Sequence, residues 1–325
     1  MRIHAKRAAS WLVCLGLAGS VVSCRHRTPG SERQAGRALG FDPSPVDVTA
    51  FPSDPKVSQR ILAMSFSEAA ERLGSLSFEA RTYFVFSRAT EEHEQTSVAR
   101  ATQDSRGNYH VVISTGDNQV EAYGIGEDAY IRTDKGHLRK KARRDAETGA
   151  WSELAWSTIQ ESLALFRSRL RCVDPRPDTA AGRLALRFAM VLAPEGEQGL
   201  ELQRQPPGLP LPPPSRWREL AKPLDVAGSL WLDAATGVML RVKVEGRFEI
   251  PDRSVRPTQL SLRLEATVSK PGASGPVTAP KSVPEYVRTP PPSDPIGFFR
   301  SELGEALPPG GSEHPKDAPP DGRPK

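Results

Sequence analysis

From Val238 to Ile250 apolar and polar side chains alternate. Val238, Leu240, Val242, Val244, Phe248 and Ile250 stand against Met239, Arg241, Lys243, Glu245, Arg247 and Glu249. Leu260, Leu262, Leu264, Ala266 and Val268 repeat the pattern opposite Gln259, Arg263 and Glu265, and Leu184, Leu186, Phe188, Met190 and Leu192 alternate with smaller or charged residues. A period of two sends the two sets to opposite faces of a strand, so these segments bury their apolar set only in a sheet with one face on a core and the other in water. Shorter strand-like segments run from Phe78 to Phe86, Thr96 to Thr102, Tyr109 to Ile113, Val120 to Tyr123 and Ala129 to Arg132, with turn residues at Gly107, Gly116, Gly126 and Gly136 between them. That spacing predicts an antiparallel meander rather than βαβ units. Gly237, closing the turn that starts at Asp233, suits the left-handed position of a bulged hairpin.

Two helices interrupt the strands. Ser65 and Glu68 have capping-box spacing, Phe66, Ala69, Ala70 and Leu73 follow at helical intervals, and Gly74 supplies the stop. Further on, Trp151, Leu154, Ala155, Ile159, Leu163, Leu165 and Phe166 form an apolar stripe, with Glu153, Gln160 and Glu161 off it. The expected fold class is therefore mainly β (α+β): a curved antiparallel sheet covered by one or two helices.

At the amino terminus, Arg2, Lys6 and Arg7 precede an apolar run too short to span a bilayer of about 30 Å. Val21, Val22 and Ser23 lead into Cys24, and this leader resembles that of bacterial lipoproteins. The resemblance implies transfer of a diacylglyceryl group to the Cys24 thiol, cleavage before Cys24 and acylation of the new amino terminus, palmitate included. Arg25 at the following position implies an outer-membrane lipoprotein facing the periplasm. An ordinary secretory signal, leaving Cys24 a plain thiol, is the alternative. Domain boundaries follow from composition: a signal peptide over 1–23, a lipidated flexible tether over 24–56, a folded domain over 57–270 with a proline-rich insert at 205–215, and a tail over 271–325. That tail holds 14 of the 31 prolines and reads as disordered.

The formal net charge of +5 includes the three basic leader residues and falls to +2 without them, too weak a bias to imply a nucleic-acid partner. Of the three cysteines, Cys14 leaves with the leader and Cys24 is taken by lipid, so Cys172 has no partner for a disulfide and reads as a buried, inert thiol.

The run from Gly228 to Val244 (GSLWLDAATGVMLRVKV), together with Ile125 to Thr133 (IGEDAYIRT), resembles the LolA/LolB and LppX-type lipoprotein carriers over roughly residues 60 to 270. That resemblance implies an antiparallel half-barrel closed by helices over an apolar cavity, and a function in binding or receiving a lipid or an acylated protein. A curved sheet too short to close needs a cover, and a single helical layer can leave room for an acyl chain. Trp151, Leu154, Ile159, Leu163 and Phe166 are the candidate lipid-binding residues. The same stripe is equally compatible with a filled core.

Enzymatic signatures are missing from the sequence. None of His4, His26, His93, His110, His137 and His314 has a second ligand at metal spacing, and no Gly-x-Ser-x-Gly elbow occurs. The expectation is a non-enzyme with no cofactor or metal; Glu91 to Glu94 reads as a solvated hairpin loop, and the basic run Arg139 to Arg144 as a solvated turn. The insert from Pro206 to Pro214 favours extended polyproline geometry and suits an envelope protein partner. An envelope interaction or assembly lipoprotein with a filled core is thus the second functional class.

Overall fold

The computed structural model describes residues 44–88, 91–133, 136–142, 147–201, 216–251 and 257–281. The chain divides into two units, Met1–Pro284 and Glu285–Lys325, and every described residue belongs to the first. Among the described residues eleven strands form one antiparallel sheet: β1 (Leu76–Arg88), β2 (Glu91–Gln103), β3 (Tyr109–Thr115), β4 (Asn118–Ile125), β5 (Asp128–Thr133), β6 (Arg139–Ala142), β7 (Leu170–Ala180), β8 (Arg183–Leu192), β9 (Lys222–Asp233), β10 (Met239–Ile250) and β11 (Thr258–Ser269). Their spatial order is β6-β5-β4-β3-β2-β1-β11-β10-β9-β8-β7. Two meanders therefore meet where the first strand pairs with the last, Ala80 standing opposite Ala266 on one side and Ala99 on the other.

The chain leaves this sheet at one edge, β6, and re-enters at the other, β7. Between them lies α3 (Glu147–Leu163) followed by a 3-10 turn, Ala164–Arg169; the two earlier helices are α1 (Pro55–Leu62) and α2 (Phe66–Leu73), and a short α4 (Arg216–Leu220) precedes β9. Eleven strands about 4.8 Å apart would be about 48 Å wide if flat, whereas a 17-residue helix is about 25 Å long. The sheet is curved and unclosed, and α3 lies along its concave face against β11, β1, β2, β3 and β4. The floor beneath it includes several small side chains: Ala266, Ala80 and Ala99 in one row, and Ala101 and Ala122 on either side of Val111 in the next, beside Phe78, all buried. Small residues there let a helix backbone approach the sheet closely.

The capped helix forms as its sequence requires. Ser65 Oγ accepts from the Glu68 amide at 3.0 Å, and Gly74 closes α2 at φ 82°. The turn after β9 is equally local: the buried Asp233 carboxylate accepts from the amides of Ala235 and Thr236, the Thr236 hydroxyl and the Arg183 guanidinium, while Gly237 takes φ 73°. Burial alone would raise the Asp233 pKa, but these donors hold it below the usual carboxylate range. Cys172 is buried as expected, and burial pushes its thiol up to about 12.

Two domain boundaries need correction. Packing starts before residue 57, because Val46, Val48 and Phe51 are buried, with Phe51 edge-on to Phe188 at 4.9 Å. It also continues past 270, where the Gly272 amide donates to Ser75 O at 2.9 Å and the Val277 amide to Asp104 Oδ2 at 3.1 Å. Polar and proline-rich surroundings masked these few anchors. Two surface readings change as well. Glu91 to Glu94 belong to β2, with His93 opposite Phe86, and Arg139 to Ala142 form the edge strand β6. Both edges discourage further pairing: β6 is four residues long and basic, and β7 carries Pro175, Pro177 and a register shift between Val173 and Arg176.

Candidate functional site

The concave face is where the candidate lipid-binding residues fall. Ile159, Leu163 and Phe166 are buried, whereas Trp151 and Leu154 are half-buried; the Trp151 indole N–H sits buried without an acceptor among the described residues. The stripe is only part of what α3 buries. Ser152, Ala155, Trp156, Ser157, Gln160 and Ser162 are buried too, so the helix is enclosed on nearly every side, as befits an element that fills a core rather than caps it. Trp156 contributes most, with its ring 4.9 Å from Phe78 on the sheet and 5.9 Å from Phe66 on α2.

Polar contacts fasten α3 to the segment that covers its other flank. The Trp156 indole N–H donates to Met64 O at 2.8 Å, and Gln160 Nε2 donates to Leu62 O at 2.8 Å. Glu153 accepts from the amides of Phe66 (2.7 Å) and Ser67 (3.1 Å) and from the Ser67 hydroxyl (2.9 Å), so it caps α2 from a neighbouring helix. Burial pushes the Glu153 carboxyl above its ordinary pKa, these donors notwithstanding. Sheet, α3 and the α1–α2 pair thus form three layers.

Beyond α3, Phe166 lies over Gly246 of β10: a Cβ at that glycine would come within 2.5 Å of Phe166 Cζ, and Phe248 stands 4.8 Å from the same ring. At this end of the sheet Trp217 of α4 closes over Phe84 (5.7 Å) and Phe86 (5.2 Å), and the Arg218 guanidinium stacks 4.8 Å from the Trp217 ring. Leu220 and Leu224, 40% and 51% exposed, stand just past Trp217 in the sequence. The junction of α4 and β9 that carries them is tied down by arginines, with Arg167 donating to Glu219 O and Arg169 Nη1 to Pro223 O at 3.5 Å.

Two depressions open on the outer, convex face. One, of about 620 Å³, lies over Tyr83, Val85, Ala227 and Ser261. The other, of about 440 Å³, lies between the strap Gly275 to Lys281 and the side chains of Thr102, His110 and Tyr123. Beside it Glu121 accepts from Tyr123 Oη at 2.7 Å, from Arg132, and pairs with His110 Nε2 at 3.1 Å, while the His110 and Tyr123 rings stack at 4.1 Å. Burial would raise the Glu121 pKa, but these donors lower it; burial, reinforced by Glu121, pushes Tyr123 up to about 12. His110 and Tyr123 come together only through the β3–β4 register, which no local sequence signal announces. Cys24, the insert at 205–215, and the tail from 282 onward lie outside the described residues.

No family model matches the chain, and no curated protein matches its sequence. Among solved structures it is similar to a DUF1329 family protein from Desulfovibrio piger, at 8% identity over 63% of this chain and 91% of that one, with a TM-score of 0.19. It is similar to MucB in complex with MucA(peri), at 13% identity over 66% and 57% of the two chains and a TM-score of 0.19. A LolA superfamily protein from Nitrosomonas europaea matches at 8% identity over 63% and 93%, with a TM-score of 0.17. At TM-scores this low the fold rests on its own strand order and register, and these form the open, helix-covered half-barrel that the resemblance to LolA-type carriers implies.

Proposed function

We propose that this chain is a non-enzymatic lipoprotein of the cell envelope, anchored through Cys24, and that it engages an envelope protein partner through its outer surface. The observation that carries this reading is the filled concavity: Trp156, Phe66, Phe166, Ile159 and Leu163 are each under 2% exposed and occupy the space where a carrier would hold its cargo. The non-enzymatic part and the outer-membrane destination rest on the sequence, on the missing catalytic motifs and on Cys24 followed by Arg25. The half-barrel then serves as a rigid scaffold, and fold alone does not fix what a scaffold does.

A second reading, reception of an acyl ligand, is favoured by one feature: the exposed Leu220 and Leu224, which flank the junction of α4 and β9 a few residues after Trp217. Native mass spectrometry with lipid extraction separates the two, using the full chain carrying Cys24→Ala purified from the envelope. The scaffold reading expects the mass of the polypeptide alone and no uptake of added fatty acid or phospholipid. A stoichiometric lipid, lost when Leu163 or Phe166 is replaced by aspartate in a variant that keeps its circular-dichroism spectrum, would establish the acyl receiver instead.

A further inference from the structure

Most cations on the outer face of the sheet are matched by a neighbouring acid. Arg81 and Arg100 flank Glu79, Arg263 lies between Glu245 and Glu265, Lys243 reaches Glu265, and Arg247 pairs with Asp225. The register of β8, β9 and β10 creates an exception. Arg187 stands opposite Trp231, and Trp231 opposite Arg241, so an indole is set between two arginines on three adjacent strands. The guanidinium carbons lie 5.3 and 5.1 Å from the Trp231 ring. Covered in this way, Trp231 is only 8% exposed on a face that is otherwise solvated.

Neither arginine has a carboxylate within ion-pair distance among the described residues. Arg187 spends only its Nε, donating to Ser229 Oγ at 3.1 Å, and Arg241 Nε is buried with no acceptor. The one acid in the group, Asp178, accepts from the Trp231 indole N–H at 2.8 Å and from the Thr179 amide at 2.7 Å, and its charge is felt by both Arg187 and Arg241, so two cations face one anion and the cluster keeps an excess of positive charge. A register shift in β10 between Met239 and Arg241 sits at this point, a device that re-aims a side chain out of the regular alternation. Two guanidinium groups held against an aromatic ring lose little freedom on binding, and their planar forks match the oxygens of a phosphate.

We propose that Arg187, Trp231 and Arg241 form a binding site for phosphate groups, and that its ligand is the headgroup of an anionic phospholipid. The chemistry of the site stands independently of the proposed function. The choice of a lipid source uses the anchor at Cys24, since the 20 residues from there to Ser44 can reach at most about 70 Å and so hold the domain near a bilayer.

The test is cosedimentation of the mature chain, residues 24–325 carrying Cys24→Ala, with vesicles of phosphatidylglycerol and phosphatidylethanolamine, compared with phosphatidylcholine vesicles, at low ionic strength. Binding is expected to the anionic vesicles alone and to weaken on the order of 20-fold in the Arg187→Gln/Arg241→Gln variant. The control pair Arg81→Gln/Arg263→Gln, which removes the same charge from acid-matched positions, should bind like the parent. A parallel titration with inorganic phosphate, read by tryptophan fluorescence with Trp231→Phe as the blank, identifies the source. A signal there without vesicle binding would retain the phosphate site and assign it to a soluble anion. Absence of both, or equal losses in the two arginine pairs, would overturn the site.

Discussion

Replacing Trp156 with alanine is expected to destabilise the domain by about 4 kcal/mol, the range for deleting a fully buried aromatic side chain. Trp156 bridges the layers: its ring touches Phe78 below and Phe66 above, and its indole N–H satisfies Met64 O, which would otherwise keep only a 3.5 Å contact with Gln160 Nε2. Trp156→Phe keeps most of the apolar volume and should cost about half as much, the remainder reflecting the lost hydrogen bond and a smaller cavity. Urea denaturation followed by circular dichroism measures both. A loss below about 1 kcal/mol for the alanine variant would mean that the interior is slack at its centre.

The second large effect is reciprocal. Gly246→Ala should cost about 2 to 3 kcal/mol, because its methyl group would enter the Phe166 ring and would also stand only 3.3 Å from the backbone oxygen of Asp225. Phe166→Leu alone should also destabilise. In the double variant the shorter, branched side chain makes room for the methyl, so its loss should fall short of the sum by at least about 1 kcal/mol. Additive losses would show that the ring and the strand do not share this contact in solution.

The parts of the fold that were readable in the sequence are those whose determinants are local. Leu260 to Val268 and most of β10 alternate because one face meets the core, and α2 starts at Ser65 and stops at Gly74 through contacts within a few residues. The alternation fails at Met239 and Leu240, both buried, because the register shift beside them inserts a residue into the pattern. Strand β7 was hidden by Pro175, Pro177 and the positive φ of Asp174, all of which an edge strand tolerates. The first half of β2 is exposed and acidic, and only its pairing with β1 makes it a strand. The stripe on α3 was legible as apolar spacing, but enclosure of the helix by α1 and α2 was not, since Gln160 and Leu62 are 98 residues apart. The Arg187, Trp231 and Arg241 group likewise exists only through the register of three strands.

The filled half-barrel makes α3 a permanent core element, and amide hydrogen exchange across residues 152–163 tests that most directly. The amides of this helix should exchange only through global unfolding, at the same free energy as those of β1 and β11, and unchanged by added fatty acid or phospholipid. Exchange of α3 through a smaller opening of its own, faster when acyl ligand is present, would contradict the filled core and make the helix a gate over a binding chamber.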